Sequence, residues 1–409
     1  MLNYIWLSFF IAAFLSCLFQ ALIKDNSAIF AQVVQATFDM ASLSVEIALG
    51  LVGILCLWLG FFTIAERAGF VELLTKAFKP LFKKLMPEVP SDHPAIGSVT
   101  MNMAANMLGL DNAATPLGLK AMQDLQALNP TKDTASNAQI LFLVLNTSSV
   151  TLLPVTIFLF RAQQGSTDPT AVFIPIVLAT CASTLAGLLL VAFIQRLNIF
   201  SKTVFFYLLG FAALIGCLLM YLLNSDAASL AERSSLLGNV LLLLVIISFL
   251  IMGFIRKINV YDAFIDGAKQ GFDVALKIIP YLVAMLVAIG VLRASLVLDA
   301  ILTAVEKVVV TVGLNPDFIA ALPTALMRPF SGSGARAMLL ETMNTHGVDS
   351  FAANVAAIVQ GSTETTFYVL AVYFGSVGIK RVRHAIGCGL FADLAGITAA
   401  IFLGYWFFS

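Results

Sequence analysis

Two short hydroxyl-rich runs interrupt otherwise apolar stretches of this chain, and they hold the residues best placed to do chemistry. The first is Asn146-Thr147-Ser148-Ser149-Val150-Thr151, followed by Leu152-Leu153-Pro154. The second is Gln360-Gly361-Ser362-Thr363-Glu364-Thr365-Thr366, followed by Phe367-Tyr368. Glu364 is the sharpest candidate, because a carboxylate at the centre of a membrane helix costs at least about 2.5 kcal/mol unless it is paired or hydrated. With Ser362, Thr363, Thr365 and Thr366 beside it and Gln360 one turn away, it suits binding a cation, taking up a proton, or accepting hydrogen bonds from a polar solute. The plainer alternative is a buried carboxylate satisfied by helix-end amides or by Arg328.

A second constellation is Arg328-Pro329-Phe330-Ser331-Gly332-Ser333-Gly334-Ala335-Arg336. Gly332 and Gly334 permit a tight tip, and Ser331 or Ser333 is able to cap a helix expected from Ala335 to Met343. Exposed amides, the helix dipole and Arg336 together favour an anion; a turn with no further role is the alternative. The matching region of the first half holds Asn102, Asn106, Gly109, Asp111, Asn112 and Thr115-Pro116. Asn102 and Asn106 are four apart and share a helix face. Asp111-Asn112 is expected to supply a turn or N-cap before a helix starting at Pro116. Amide contacts between helices and direct solute contact stay equally open there. Ser and Thr often bond only their own helix backbone, yet the cluster from Asn146 through Thr147, Ser148 and Ser149 beside Pro154 predicts an unwound segment.

Other polar residues give less. Asp39, Glu46, Asp273 and Lys277 fall at span ends, Glu66-Arg67 closes a helix, and Asp393 inside the last span either pairs or lines a pathway. His93, His346 and His384 are scattered, so no metal site is expected. No nucleophile–base pair and no phosphate loop is present, which argues against an enzyme and against an organic cofactor.

The elements that must position these residues follow from composition. Of 409 residues, 60% are hydrophobic and only 11% charged, with mean hydropathy +0.96. Soluble domains carry roughly 25% charged residues, so an all-α polytopic membrane protein is expected. The net charge of zero argues against a nucleic-acid partner. Cys17, Cys56, Cys181, Cys217 and Cys388 lie in apolar segments without metal-like or paired spacing. The run Tyr4 to Ile23 lacks a basic leader and a cleavage site and reads as a retained helix.

Hydropathy predicts about nine crossings, near 4–23, 45–65, 137–160, 171–195, 203–223, 237–255, 276–296, 350–373 and 385–407. Regions 66–136 and 297–349 are too polar for simple spans and too apolar for loops. Each is expected to hold an interfacial amphipathic helix and a re-entrant hairpin. Val71 to Leu85 sets Lys76, Lys79, Lys83 and Lys84 against Leu73, Leu74, Phe78 and Phe82, the pattern of a helix lying in a cytoplasmic interface. Basic clusters at 67–84, at Arg196 and Lys202, at Arg256 and Lys257 and at 380–384 then place the N-terminus inside and the C-terminus outside. A bacterial-type inner (cytoplasmic) membrane is the expected location.

The halves align on Phe38-Asp39 with Phe272-Asp273, and on Ser148 with Ser362, Ser149 with Thr363 and Thr151 with Thr365. Five crossings separate equivalent points, so the repeat is expected to be inverted. The division is 1–200, a linking span and loop 201–235, and 236–409. Paired interruptions in inverted halves are the best sequence pointer to a transporter's midplane site.

The motifs also support a resemblance. Asn106-Met107-Leu108-Gly109-Leu110-Asp111-Asn112-Ala113-Ala114-Thr115-Pro116-Leu117-Gly118 with Asn146-Thr147-Ser148-Ser149 resembles the spore maturation A family. Ser331 to Arg336 with Gly361 to Tyr368 resembles the spore maturation B family. The chain looks like a fusion of the two, within the nucleoside-recognition (Gate) group that includes concentrative nucleoside transporters and ferrous-iron transporters. The resemblance implies a core of hairpins and broken helices, and Gly361 to Thr365 is similar to a nucleoside-contacting hairpin motif. Iron is disfavoured because neither hairpin offers a Cys or His set.

The resulting expectation is secondary transport of a small polar or anionic solute by alternating access, with a proton or Na+ as coupling ion left open. Glu364, Ser362 and Thr363 would form one wall, Arg336, Ser331 and Ser333 another, and Asn106, Asp111, Asn112, Asn146 and Ser148 the inverted unit's share. The competing expectation is a static membrane scaffold or sensor. The lipid bilayer is the sure partner, and the apolar faces of 203–223 and 237–255 suit a homodimer.

Overall fold

A computed structural model describes residues 2–108, 111–148, 151–198, 201–223 and 227–409. Apolar runs become helices because only helices satisfy every backbone group in hydrocarbon without a partner chain. The first half contains α1 (Leu2–Ile23), α2 (Ile29–Arg67), α3 (Phe70–Leu85), α4 (Pro94–Met107), α5 (Asp111–Leu128), α6 (Asn137–Ser148), α7 (Val155–Gln163) and α8 (Phe173–Gln195). Helix α9 (Lys202–Leu223) follows. The second half contains α10 (Ala227–Ile255), α11 (Val260–Ala294), α12 (Val297–Thr311), α13 (Leu322–Met327), α14 (Gly332–His346), α15 (Phe351–Ser362), α16 (Thr366–Ser376) and α17 (Ala385–Phe408).

Among the described residues, eight helical segments are long and apolar enough to cross a bilayer. The ninth expected crossing, near 137–160, is split into α6 and α7, of 12 and 9 residues, neither long enough alone. Two spans are much longer than the hydropathy reading of 45–65 and 276–296. Helices α2 and α11 run for 39 and 35 residues, where hydrocarbon needs about 20. Their extra turns carry polar residues: Gln35 donates to Asp39 at 2.8 Å in α2, and Asn259 caps α11 through the amide of Asp262.

The two intermediate regions each hold an amphipathic helix, α3 or α12, followed by a helical hairpin, α4–α5 or α13–α14. Ser331 caps α14 by accepting from the Gly334 amide at 3.0 Å, so that helix begins at Gly332, three residues before the expected start. Helix α5 likewise begins at Asp111 with Pro116 inside it. Asp111-Asn112 is therefore the first turn of α5 and not a cap ahead of Pro116. Pro116 is the sixth residue of α5, so its missing N–H costs that helix one i→i−4 bond.

Helices α2 and α11, which carry the matching Phe-Asp pairs of the two halves, pack antiparallel along their lengths. Arg67 at the end of α2 pairs with Asp266 near the start of α11 at 2.9 Å, while Gly290 of α11 lies against Met40 of α2. Small residues permit this close approach: a Cβ on Gly271 would sit 2.6 Å from the Cys56 Cα, and one on Gly267 would sit 2.3 Å from the Leu59 carbonyl oxygen. The broken spans are antiparallel too. At one end the Ala135 amide donates to Arg381 O and the Lys380 amide to Asp133 O, at 2.9 and 2.8 Å. At the other, Arg161 of α7 meets Asn354 of α15 at 2.6 Å and Asp349 at 3.0 Å. Equivalent elements thus run in opposite directions.

The same contacts sort charge by end. Tyr207 of α9 donates to the Ala77 carbonyl of α3, and Gln195 of α8 contacts His384 ahead of α17 at 3.1 Å. With Arg67 on Asp266, these gather all four basic clusters at one end of the bundle. The opposite end is held by Arg161, only 1% exposed, which donates to Ser166, to the carbonyls of Asp168, Pro169 and Val348, and to Asn354 and Asp349. Partial burial pushes the Asp349 carboxyl up, but hydrogen bonds from Ser166 and Thr167 and the Arg161 charge bring it below the usual carboxylate range.

Candidate functional site

The site exists because two helices stop halfway and the freed backbone groups find partners in each other. Pro154 has no N–H and disfavours helix in the residue before it; α6 ends at Ser148 and α7 restarts at Val155. In the second half α15 ends at Ser362, where the threonine-rich stretch Thr363-Glu364-Thr365 begins. Thr363 and Thr365 take extended backbone before α16 begins. The Glu364 amide donates to the Thr147 carbonyl at 2.7 Å, the Phe367 amide to Pro329 O at 2.9 Å, and the Leu152 amide to Met107 O at 3.1 Å. Ser148 O accepts from the hydroxyls of Thr180 and Thr184 on α8 at 3.3 and 3.2 Å. Arg328 donates to the Thr363 carbonyl. Each break is completed by the other break and by both hairpins, so the four meet at one place.

A cavity of about 670 Å³ opens beside this crossing. Asn106, Asn146, Ser331, Ser333, Arg336, Gln360, Glu364 and Thr365 of the expected set line it. Ser362, Thr363, Thr147 and Ser148 do not; they are at most 2% exposed and turn into the protein behind the crossing. The side chains of Asp111 and Asn112, and all of Ser149, lie outside the described residues.

Charge is divided across the cavity. The Glu364 side chain is 44% exposed, and its Oε1 lies 3.5 Å from Nη2 of the buried Arg328. Gln360 is 5% exposed, and its carbonyl oxygen has no hydrogen-bond partner among the described residues. Arg336 donates from Nε to Gly332 O at 3.3 Å, beside the Ser331 and Ser333 hydroxyls 3.2 Å apart. The third wall is an amide chain: Asn106 donates to Asn146 Oδ1 at 2.9 Å, and Tyr373 OH reaches the same oxygen at 3.4 Å. The lining therefore offers donors and positive charge from Arg328 and Arg336 together with acceptors from Glu364 and Gln360.

Aromatic residues that the sequence reading left aside complete the lining. Phe330 and Phe367 stack with centroids 5.2 Å apart and planes 12° apart, and Tyr281, Tyr368 and Tyr373 also face the cavity. Phe330 lies inside the Arg328 to Arg336 stretch and Phe367 directly follows the second hydroxyl run, which was the available signal; Tyr281 on α11 gave none. Asp393 meets one of its two expectations: pairing holds and lining the cavity does not. It is 1% exposed and accepts from the Thr366 hydroxyl at 2.6 Å.

Residues 48–164 and 275–380, one stretch in each half, match the family described as Gate, nucleoside recognition. The chain belongs to the Gate family. It is also 43% identical to spore maturation protein B of Bacillus subtilis (strain 168) over 160 residues, 39% of this chain and 88% of that protein. To spore maturation protein A of the same organism it is 36% identical over 190 residues, 46% of this chain and 93% of that protein. Both matched Gate stretches contain one hairpin and one broken span, so the family pattern coincides with the parts that build the cavity.

Proposed function

We propose that this Gate-family membrane protein is a secondary transporter of a small polar or anionic solute, working by alternating access at the crossing of its two broken helices. The observation that supports it most is the shared cavity of about 670 Å³, lined by polar side chains from both inverted halves. Interrupted helices at equivalent points of inverted repeats are how transporters place substrate groups near the midplane. Arg336 and the start of α14 would take the anionic group, Gln360 and Glu364 would accept from hydroxyl or amine donors, and the Phe330–Phe367 pair would cover an apolar part. With the basic clusters at one end, the charge rule favours a cytoplasmic N-terminus and an external C-terminus in an inner membrane.

The test has two stages. Purified protein is screened by thermal shift against nucleosides, amino acids, carboxylates and polyamines, since a ligand at 100 times its Kd stabilises by about 2.7 kcal/mol. A hit is then followed as flux into proteoliposomes for wild type and Glu364→Gln. Flux that falls at least tenfold in the variant supports the reading; unaltered flux removes Glu364 from the mechanism. The Arg328–Glu364 ion pair favours a second reading, a static scaffold or sensor with the same fold. That reading predicts binding without flux.

A further inference from the structure

Behind the cavity, α17 presents Gly389, Asp393 and Gly396 on one face, at spacings of four and three residues. The two glycines let α17 close on the crossing. A Cβ on Gly389 would meet Thr366 Cγ2 at 2.8 Å and Thr147 Oγ1 at 3.6 Å; one on Gly396 would meet Thr363 Cγ2 at 2.7 Å. Asp393 is thereby pressed against both breaks and sealed from the cavity at 1% exposure.

Its surroundings suit a neutral acid better than a carboxylate, because a buried charge is costly unless a counter-charge is committed to it. Oδ2 accepts from Thr366 Oγ1 at 2.6 Å, while Oδ1 has no hydrogen-bond partner among the described residues. The hydroxyl of Thr363, 2% exposed, faces the same carboxyl. The charged groups that face Asp393 are Arg328 and Glu364. Arg328 is already engaged with the Thr363 carbonyl and the Glu364 carboxylate, so one guanidinium stands between two acids. From α6, α8 and α15 the neighbouring groups are Thr147, Ser183 and Ser362, all neutral. Ser183 Oγ is spent on the Ala392 carbonyl, Thr147 Oγ1 on Val144 O and Ser362 Oγ on Val359 O.

We propose that Asp393 is a proton-binding site set between the two helix breaks, separate from the solute cavity. A neutral acid has one O–H to give. Placed on Oδ1 it donates to Thr363 Oγ1, where a carboxylate would accept from that hydroxyl instead; the proton is favoured because it removes a buried charge and leaves Arg328 balanced by Glu364 alone. Because Thr363 and Thr366 belong to the break and Asp393 to α17, any motion of the break relative to α17 parts the acid from its partners. The proton then passes to water in the cavity, and the carboxylate left behind competes with Glu364 for Arg328. Proton occupancy and cavity charge are linked in this way. As a coupling device the site rests on the transporter reading; as a proton site it does not.

Infrared spectroscopy of the full chain in lipid nanodiscs tests the site without any solute. The protonated-carboxyl C=O band is followed across about pH 4 to 8, where carboxyls and histidines titrate. Wild type is expected to keep the band at neutral pH, Glu364→Gln to weaken it because Arg328 then loses its competing carboxylate and favours the ionised Asp393, Asp393→Asn to lose it, and Thr363→Val to shift it. Carbon-13 labelling of aspartate in wild type separates the band from the buried Glu341, and among the described residues Asp393 is the one buried aspartate, so the test stands even if Asp393→Asn fails to fold. No band in wild type at neutral pH, or a band untouched by the aspartate label, overturns the assignment. Loss of the band when NaCl replaces choline chloride also overturns it, in favour of a sodium site. Flux abolished by Asp393→Asn with no band in wild type sinks the proton site and leaves transport standing; a labelled band with no flux of any solute supports the proton site and sinks the transporter reading.

Discussion

Replacing Gly271 by alanine tests the antiparallel contact on which the inverted arrangement depends. In an ordinary helix interior, glycine to alanine stabilises by about 0.5–1 kcal/mol. At Gly271 the new Cβ would lie 2.6 Å from the backbone N and Cα of Cys56, where carbon atoms prefer about 3.5–4.0 Å. The obstruction is backbone, so no rotamer change relieves it. Helices α2 and α11 must part by about 1 Å, and overpacking of this kind costs about 1–3 kcal/mol. Net loss should therefore be about 1–2 kcal/mol, after the propensity gain is deducted. Gly53, on α2 with nothing within 4 Å of its virtual Cβ, supplies the control and should be neutral or slightly stabilised. Gly290 should fall between, because its neighbour is the flexible Met40 side chain. Unfolding in mixed micelles ranks the three. Equal stability of Gly271→Ala and Gly53→Ala would refute the packing argument.

Three further outcomes follow from other contacts. Asp349→Asn should lower stability at neutral pH by roughly 0.5–1 kcal/mol, a value kept small because the carboxylate is partly open to solvent. Since its folded-state value is depressed, that contribution is present above the ordinary carboxylate value of about 3.9 and is lost as pH falls through the lower folded value; melting curves of the two proteins should converge in acid. Asn106→Ala removes the bond to Asn146 and should cost about 0.6 kcal/mol, the usual size of a hydrogen bond between membrane helices, read in the same unfolding assay. Phe367→Ala unstacks Phe330 and should weaken any ligand found by thermal shift by about 1 kcal/mol, roughly fivefold in Kd.

The breaks were legible in the sequence because their causes are local: Pro154 removes a donor, and the run from Thr363 to Thr366 disfavours a continuous helix. Helix α3 was legible for the same reason, through its lysines. What lies inside each break was not legible. A helix that stops loses its phase, so nothing in the spacing said that Glu364 would face the cavity while Ser362 and Thr363 turned behind it. The extra turns of α2 and α11 escaped because hydropathy measures hydrocarbon and these turns extend beyond it. Tyr281 reads as one more apolar-span aromatic until α11 is seen beside α7. Asp393 was visible as an anomaly, but the role of Gly389 and Gly396 in pressing it onto the crossing needs the coordinates.

Alternating access requires that one cavity be reached from either side of the membrane in turn. Ser333 lines it, and the native thiols, Cys17, Cys56, Cys181, Cys217 and Cys388, are replaced so that Ser333→Cys carries the only reactive group. A membrane-impermeant maleimide is then applied to right-side-out and to inside-out vesicles. Labelling from both sides, at rates that change in opposite directions when ligand is added, is the predicted result. Labelling from a single side under every condition would contradict alternating access and leave a static binding protein in its place.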